Sequence, residues 1–309
     1  MKKTLTVCIF IVVNFVVNSQ SIYVKTFGNP KDKPLLFLHG GPGYNATSFE
    51  ATTAQQLSEN GFYVIAYDRR GEGRSADKNA KFTFQETFND LNLIYNTYNL
   101  TSATLIGHSF GGVVATLYAE KYPIKIKSII LVSAPLSMQQ TLSTILKSSK
   151  SIYTNKQDSV NLNYINFLEN MDKSTIEYSS YLFSHAMQNG FYYPKEPTKE
   201  ALHIYKKFKT DPLLLKYSSQ MTYEAPRGFW ENEKYTTLEL HDNIKRILRN
   251  GTPVFGLYGK DDGLFSETQV KNIKILMEND HFDYFENCSH NPFIDQQSKF
   301  INAIKKWTE

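Results

Sequence analysis

Gly107-His108-Ser109-Phe110-Gly111-Gly112 follows a short apolar run, Ala103-Thr104-Leu105-Ile106, and opens a stretch with helical spacing from Phe110 to Lys121. A G-x-S-x-G placed between a strand and a helix is a sharp turn. It holds its serine in a strained backbone conformation with the hydroxyl exposed. Small residues at its ends let neighbouring backbone approach, and the helix N-terminus offers free N–H groups to a developing negative charge. Ser109 is therefore the candidate nucleophile. The bare motif is common; the strand-turn-helix setting is what gives it weight.

Working outward, the same alternation recurs. Pro34 to Leu38 is a continuous apolar run, as in a strand covered on both faces. Ser48 to Asn60 has helical spacing, with Asn45 or Thr47 as a cap and Gly61 behind it. Strands are expected at Phe62–Tyr67 and Ile126–Val132, and a helix at Phe84–Tyr98. Strict alternation argues for an α/β fold: a mostly parallel sheet with helices on both faces. The alternation stops near Pro135. From Leu136 to about Tyr235 the patterns are helical or irregular, broken by Pro194, Pro197, Pro212 and Pro226. It resumes with a strand at Pro253–Tyr258, a helix at Thr268–Met277, a strand at Phe282–Phe285 and a closing helix at Pro292–Trp307. The expected organisation is a core in two parts, 21–135 and 236–309, split by a mostly helical cap at 136–235. Such insertions usually cover a site at the carboxyl ends of the strands.

A serine hydroxyl needs a base, and the base an orienting acid, in the chain order Ser, Asp or Glu, His. His185, His203 and His241 lie in or beside the insertion, and His281 opens a strand. His290 lies in Asn287-Cys288-Ser289-His290-Asn291-Pro292, a loop at the carboxyl end of the last strand, and is the candidate base. Gly259-Lys260-Asp261-Asp262-Gly263 follows the preceding strand and supplies the acid. Asp262 is favoured, with Asp261 as the alternative. An oxyanion hole needs two donors. The Phe110 backbone N–H is one. The other is expected from His39-Gly40-Gly41-Pro42-Gly43 after the first core strand, and Gly41 is assigned.

Composition narrows the class without naming it. The 309 residues suffice for a large core, 41% hydrophobic content and 14% aromatics exclude a disordered chain, and 34 Lys+Arg against 30 Asp+Glu give no basic field for nucleic acid. Two cysteines support neither a disulfide framework nor a Cys-based zinc site. Lys2 and Lys3, an apolar run from Leu5 to Val17 and small residues near Ser19 follow the order of a secretory signal peptide over residues 1–20. Its removal would take Cys8 and leave Cys288. The expected location is then periplasmic or extracellular.

On these residues the chain resembles the α/β-hydrolase superfamily, and more narrowly its proline iminopeptidase-like branch. The resemblance is carried by His39 to Gly43, by Asp68-Arg69-Arg70-Gly71-Glu72-Gly73-Arg74-Ser75, by the turn Gly107 to Gly112, by Gly259 to Asp262 and by His290. It runs from about residue 30 to the C-terminus, the insertion aside. It implies a Ser109–His290–Asp262 hydrolase acting through an acyl-enzyme, with no metal or organic cofactor. The partner it implies is a small molecule, a short peptide releasing its N-terminal residue or, alternatively, a small ester. Arg69 stands where the branch has Gln, and the segment 68–75 is expected to brace the oxyanion loop. Members that remove an N-terminal proline hold the free amine with cap carboxylates. Here Glu169, Glu177, Glu224 and Glu231 are candidates, with Glu224 first. His108 departs from the Gly-Gly-Ser-Trp-Gly turn of aminopeptidase members and matches the Gly-His-Ser-x-Gly-Gly of esterase-like relatives.

Overall fold

The computed structural model describes residues 22–277 and 279–308. Seven strands form one sheet: β1 Val24–Phe27, β2 Lys33–Leu38, β3 Phe62–Tyr67, β4 Ala103–His108, β5 Ile126–Val132, β6 Val254–Gly259 and β7 Phe282–Phe285. Their order is β1-β3-β2-β4-β5-β6-β7. All neighbours are parallel except β1, which runs antiparallel to β3 with Val24 opposite Tyr67.

Side chains alternate between the two faces, as the strand period of two requires. Leu36 and Leu38 of β2, Leu105 of β4 and Ile129 and Leu131 of β5 enter one hydrophobic cluster. Leu35, Phe37, Ile106, Ile130 and Val132 enter another on the opposite face. The helices Phe84–Thr97, Phe110–Lys121, His241–Arg249 and Glu267–Met277 cover the first face through residues such as Leu91, Val114, Ile244 and Val270. The second face is covered by a helical stretch near the N-terminus and by the closing helices, through Phe49, Leu57, Phe293 and Phe300.

Three elements differ from the sequence reading. β1 is an addition: its four residues carry almost no periodic signal and are ordered by pairing with β3. The helix expected over Ser48–Asn60 is three consecutive segments, Thr47–Phe49, a π-helical turn Glu50–Ala54 and Gln55–Glu59. Asn45 Oδ1 does accept the Thr47 N–H at its start. The closing helix is two, Pro292–Asp295 and Gln297–Thr308. Gln296 leaves helical geometry, at φ −138°, and its side-chain amide donates to the Glu286 carbonyl oxygen instead.

Between β5 and β6, which are neighbours in the sheet, the chain forms the helices Met138–Asn155, Ser159–Glu169, Ile176–Gln188, Lys199–Lys207, Pro212–Tyr217 and Glu224–Glu233. Met138–Asn155, Ser159–Glu169, Ile176–Gln188 and Glu224–Glu233 join the first cluster through Leu142, Ile165, Leu182 and Phe229, whereas Lys199–Lys207 joins the second through Ile204. Phe229 meets Phe110 at 5.2 Å between ring centroids, and Tyr235 meets it at 5.5 Å. This segment therefore shares a core with the sheet.

Candidate functional site

Ser109 sits between β4 and the helix Phe110–Lys121 at φ 51°, ψ −122°, a conformation L-residues rarely adopt. Its N–H is held by the Val132 carbonyl of β5, 2.9 Å away. The tight turn depends on Gly111, whose Cβ, if present, would lie 2.0 Å from the Leu38 carbonyl oxygen. That approach seats the helix Phe110–Lys121 against the end of β2, where the loop His39–Gly43 begins. The two glycine-rich segments are thus one packing unit, with Gly40 also against Ser109 and His108.

The loop is fixed from below by a buried ion pair. Arg69, 1% exposed, donates from Nε and Nη2 to the two Glu72 carboxylate oxygens at 2.9 Å each. The same guanidinium donates to the His39 and Gly40 carbonyl oxygens at 2.5 Å. Glu72 Oε2 accepts the Gly43 N–H at 2.7 Å. Burial raises the Glu72 carboxyl above its ordinary value while Arg69 opposes the rise. His39 Nε2 accepts from the Arg69 N–H, so Nδ1 carries the proton and donates to the Gly40 carbonyl. Burial, with Arg69 beside it, keeps this imidazole neutral. The segment 68–75 thus holds the loop His39–Gly43 through Arg69 and Glu72. Gly41 and Phe110 both line the cavity that contains Ser109. Among the described residues, neither backbone N–H is engaged by a hydrogen bond within the chain.

His290 Nδ1 lies 2.8 Å from Asp262 Oδ2, with the side chains 6% and 0% exposed. Asp262 Oδ1 accepts the Leu264 N–H, so this carboxylate is held at both oxygens. A proton on Nδ1 leaves Nε2 with a lone pair, the tautomer a base requires. Asp261, the alternative acid, instead accepts the Lys195 N–H. Ser109 and His290 line the same cavity, and among the described residues no hydrogen bond links the Ser109 hydroxyl to the His290 ring. Apo sites commonly leave this contact open until substrate binds.

Two further contacts on His290 lie beyond the sequence reading. His108 Nε2 lies 2.9 Å from the His290 carbonyl oxygen. Burial and the neighbouring His290 push its imidazole down to about 3, so it is neutral and Nε2–H is the donor. Tyr192 packs edge-on against the His290 ring at 5.0 Å. The first could be suspected from His108 preceding Ser109; the second has no local sequence signal.

The cavity measures about 1280 Å³. Its wall is mainly aromatic and aliphatic, with Tyr44, Phe110, Phe183, Tyr193, Phe265 and Phe293 among its residues. Of the four acids named from the sequence, Glu177 alone lines it, among the described residues. Glu224 opens its helix on the exposed side, while its neighbours Tyr223, Pro226 and Arg227 reach the wall. Glu169 pairs with Lys150 at the surface and Glu231 with Arg227. No cluster of His, Cys, Asp and Glu suited to a metal ion occurs among the described residues.

This is the architecture of an α/β hydrolase, and the family model described as alpha/beta hydrolase fold matches residues 33–297. The chain belongs to that family and is a hydrolase. Within it, the chain is 26% identical over 294 residues to the proline iminopeptidase of Lactobacillus delbrueckii subsp. lactis, covering 92% of this chain and 93% of the relative. The proline iminopeptidase-related protein of Thermus thermophilus superposes with a TM-score of 0.65 at 20% identity, covering 94% of both chains. An esterase of Exiguobacterium antarcticum superposes with 0.62 at 20% identity, over 93% of this chain and 94% of its own.

Proposed function

We propose that the protein is a serine hydrolase acting through Ser109, His290 and Asp262, and that it releases N-terminal residues, proline foremost, from short peptides. The observation that carries the mechanism is His290, bonded to Asp262, lining the cavity that also contains Ser109 at its strained turn. Ser109 Oγ attacks the carbonyl carbon while His290 Nε2 takes its proton. The oxyanion is held by the Gly41 and Phe110 N–H groups. Collapse expels the amine, which leaves with the proton from His290. Water then attacks the acyl-enzyme by the same path and restores the serine. The proline iminopeptidase relatives support the peptide substrate, and Glu177, an exposed acid on the cavity wall, is the candidate partner for its free amine.

A second reading, a carboxylesterase, is favoured by His108 in the nucleophile turn and by a mainly apolar cavity far larger than a proline ring. Parallel assays with a proline arylamide and p-nitrophenyl butyrate separate the two. The aminopeptidase reading expects arylamide turnover, with Glu177→Gln impairing that substrate several-fold and leaving the ester unchanged, since Glu177 is an exposed acid at the cavity wall and a charge partner there is partly screened by water. Turnover of the ester alone would establish the esterase. We also propose that residues 1–20, which lie outside the described residues, direct export; N-terminal sequencing of the protein outside the cell should begin near Ser21.

A further inference from the structure

Asp295 is fully buried, lies outside the triad, and joins two parts of the chain that the reaction requires to agree. Its Oδ2 accepts the Ser289 N–H at 2.8 Å, and its own N–H donates to the Asn291 carbonyl at 2.9 Å. The residues on both sides of His290 are therefore bonded to this one aspartate. Its Oδ1 accepts the Tyr205 hydroxyl at 2.5 Å, and its carbonyl accepts the Thr198 hydroxyl at 3.2 Å. Thr198 is the N-cap of the helix Lys199–Lys207 in the segment between β5 and β6, and Tyr205 lies near that helix's other end. Tyr205 and His290 both line the cavity.

We propose that Asp295 is a positioning residue that couples the helix Lys199–Lys207 to the seating of His290, so that the base is aligned when that helix is docked over the cavity. The inference rests on the serine-hydrolase reading above. A helix bonded at both its N-cap and its last turn to a single residue moves with that residue. A residue bonded on both sides of a base moves the base. A shift of about 1 Å in a catalytic group costs up to roughly a hundredfold in rate, so the bonds need transmit only part of such a shift to be measured. Burial pushes the Asp295 carboxyl up to about 6, while its two donors, the Tyr205 hydroxyl and the Ser289 N–H, oppose the rise.

The test uses the full chain with Tyr205→Phe, Asp295→Asn and the double variant. The readouts are the rate of fluorophosphonate labelling at Ser109, kcat and KM on the better substrate of the paired assay, and Tm. Tyr205→Phe removes one hydroxyl, so Tm should move by a few degrees at most while labelling and kcat fall roughly tenfold. The double variant should be no slower than Asp295→Asn, because both break one linkage. Unchanged labelling in Tyr205→Phe, or effects that multiply in the double variant, would overturn the coupling. If Asp295→Asn does not fold, Thr198→Val with Tyr205→Phe supplies the comparison, and unchanged labelling in that pair overturns the coupling equally. A wild-type chain that does not label at all would instead overturn the serine mechanism.

Discussion

Arg69→Met tests whether the buried ion pair holds the oxyanion loop. The substitution keeps an apolar stem and removes the guanidinium. Glu72, 0% exposed, then retains the Gly43 N–H as its donor and loses both bonds from Arg69, while the His39 and Gly40 carbonyls lose theirs. Removing one partner of a buried pair costs about 3 to 5 kcal/mol, mostly the desolvation of the charge left behind. The cost carries a pH signature. Burial already raises the Glu72 carboxyl from its ordinary 4.5, and without Arg69 nothing comparable opposes that rise. A folded-state value above the unfolded one means the folded variant binds more protons between the two. The deficit against wild type is therefore smallest below pH 4.5 and widens as pH rises through the raised value. Urea melts between about pH 4 and 8 would measure it. Arg69→Met/Glu72→Gln removes the stranded charge, keeps an acceptor for Gly43, and should recover most of the stability at neutral pH. Hydrolysis should fall as well, by at most the roughly 10² to 10³ lost with one oxyanion donor. A deficit under about 1 kcal/mol at neutral pH, or one flat in pH, would refute the electrostatic account. Full activity would refute the role in bracing the loop.

Three further outcomes are expected. Asp262→Asn should lower kcat by about 10⁴ through loss of the His290 tautomer, whereas Asp261→Asn should cost little, and equal losses would mean the acid is misassigned. Gly259→Ala places a Cβ 2.3 Å from the Cys288 and Ser289 carbonyl oxygens, so it should cost about 1 to 3 kcal/mol and slow Ser109 labelling by displacing the His290 loop; unchanged melting would contradict that packing. Cys288 is fully buried and burial pushes its thiol well up, so maleimide should react only as fast as the chain opens, and rapid labelling of the native protein would show the loop exposed.

How much of this was legible depends on how far each contact reaches beyond local rules. The sheet could be read because β2 to β6 are continuous apolar runs between helical patterns, and both faces are filled by alternate residues of the same runs. β1 could not, because four residues are too few for a period and their order comes from β3. The break at Gln296 was hidden for a similar reason: its side chain is drawn to a carbonyl ten residues away, which helical periodicity cannot register.

The pairing of His290 with Asp262 shows the opposite case. Twenty-eight residues separate them, yet β6 and β7 are parallel neighbours with Gly259 opposite Phe285, so the loops leaving their carboxyl ends must adjoin. Topology alone brings Asp262 to His290. No such rule acts on Tyr205 and Asp295, ninety residues apart, or on which acid of the helical segment faces the cavity. Helical spacing there assigns a buried face, as Ala225 and Phe229 show, but says nothing of what the adjoining exposed edge overlooks, and so it could not separate Glu177 from Glu224. The chemistry of the site is thus written in loops whose neighbours the strand order dictates. On the proposed reading, substrate preference lies in the docking of helices that no strand order constrains, and one of them, Lys199–Lys207, is bonded to the aspartate that also bonds both neighbours of His290.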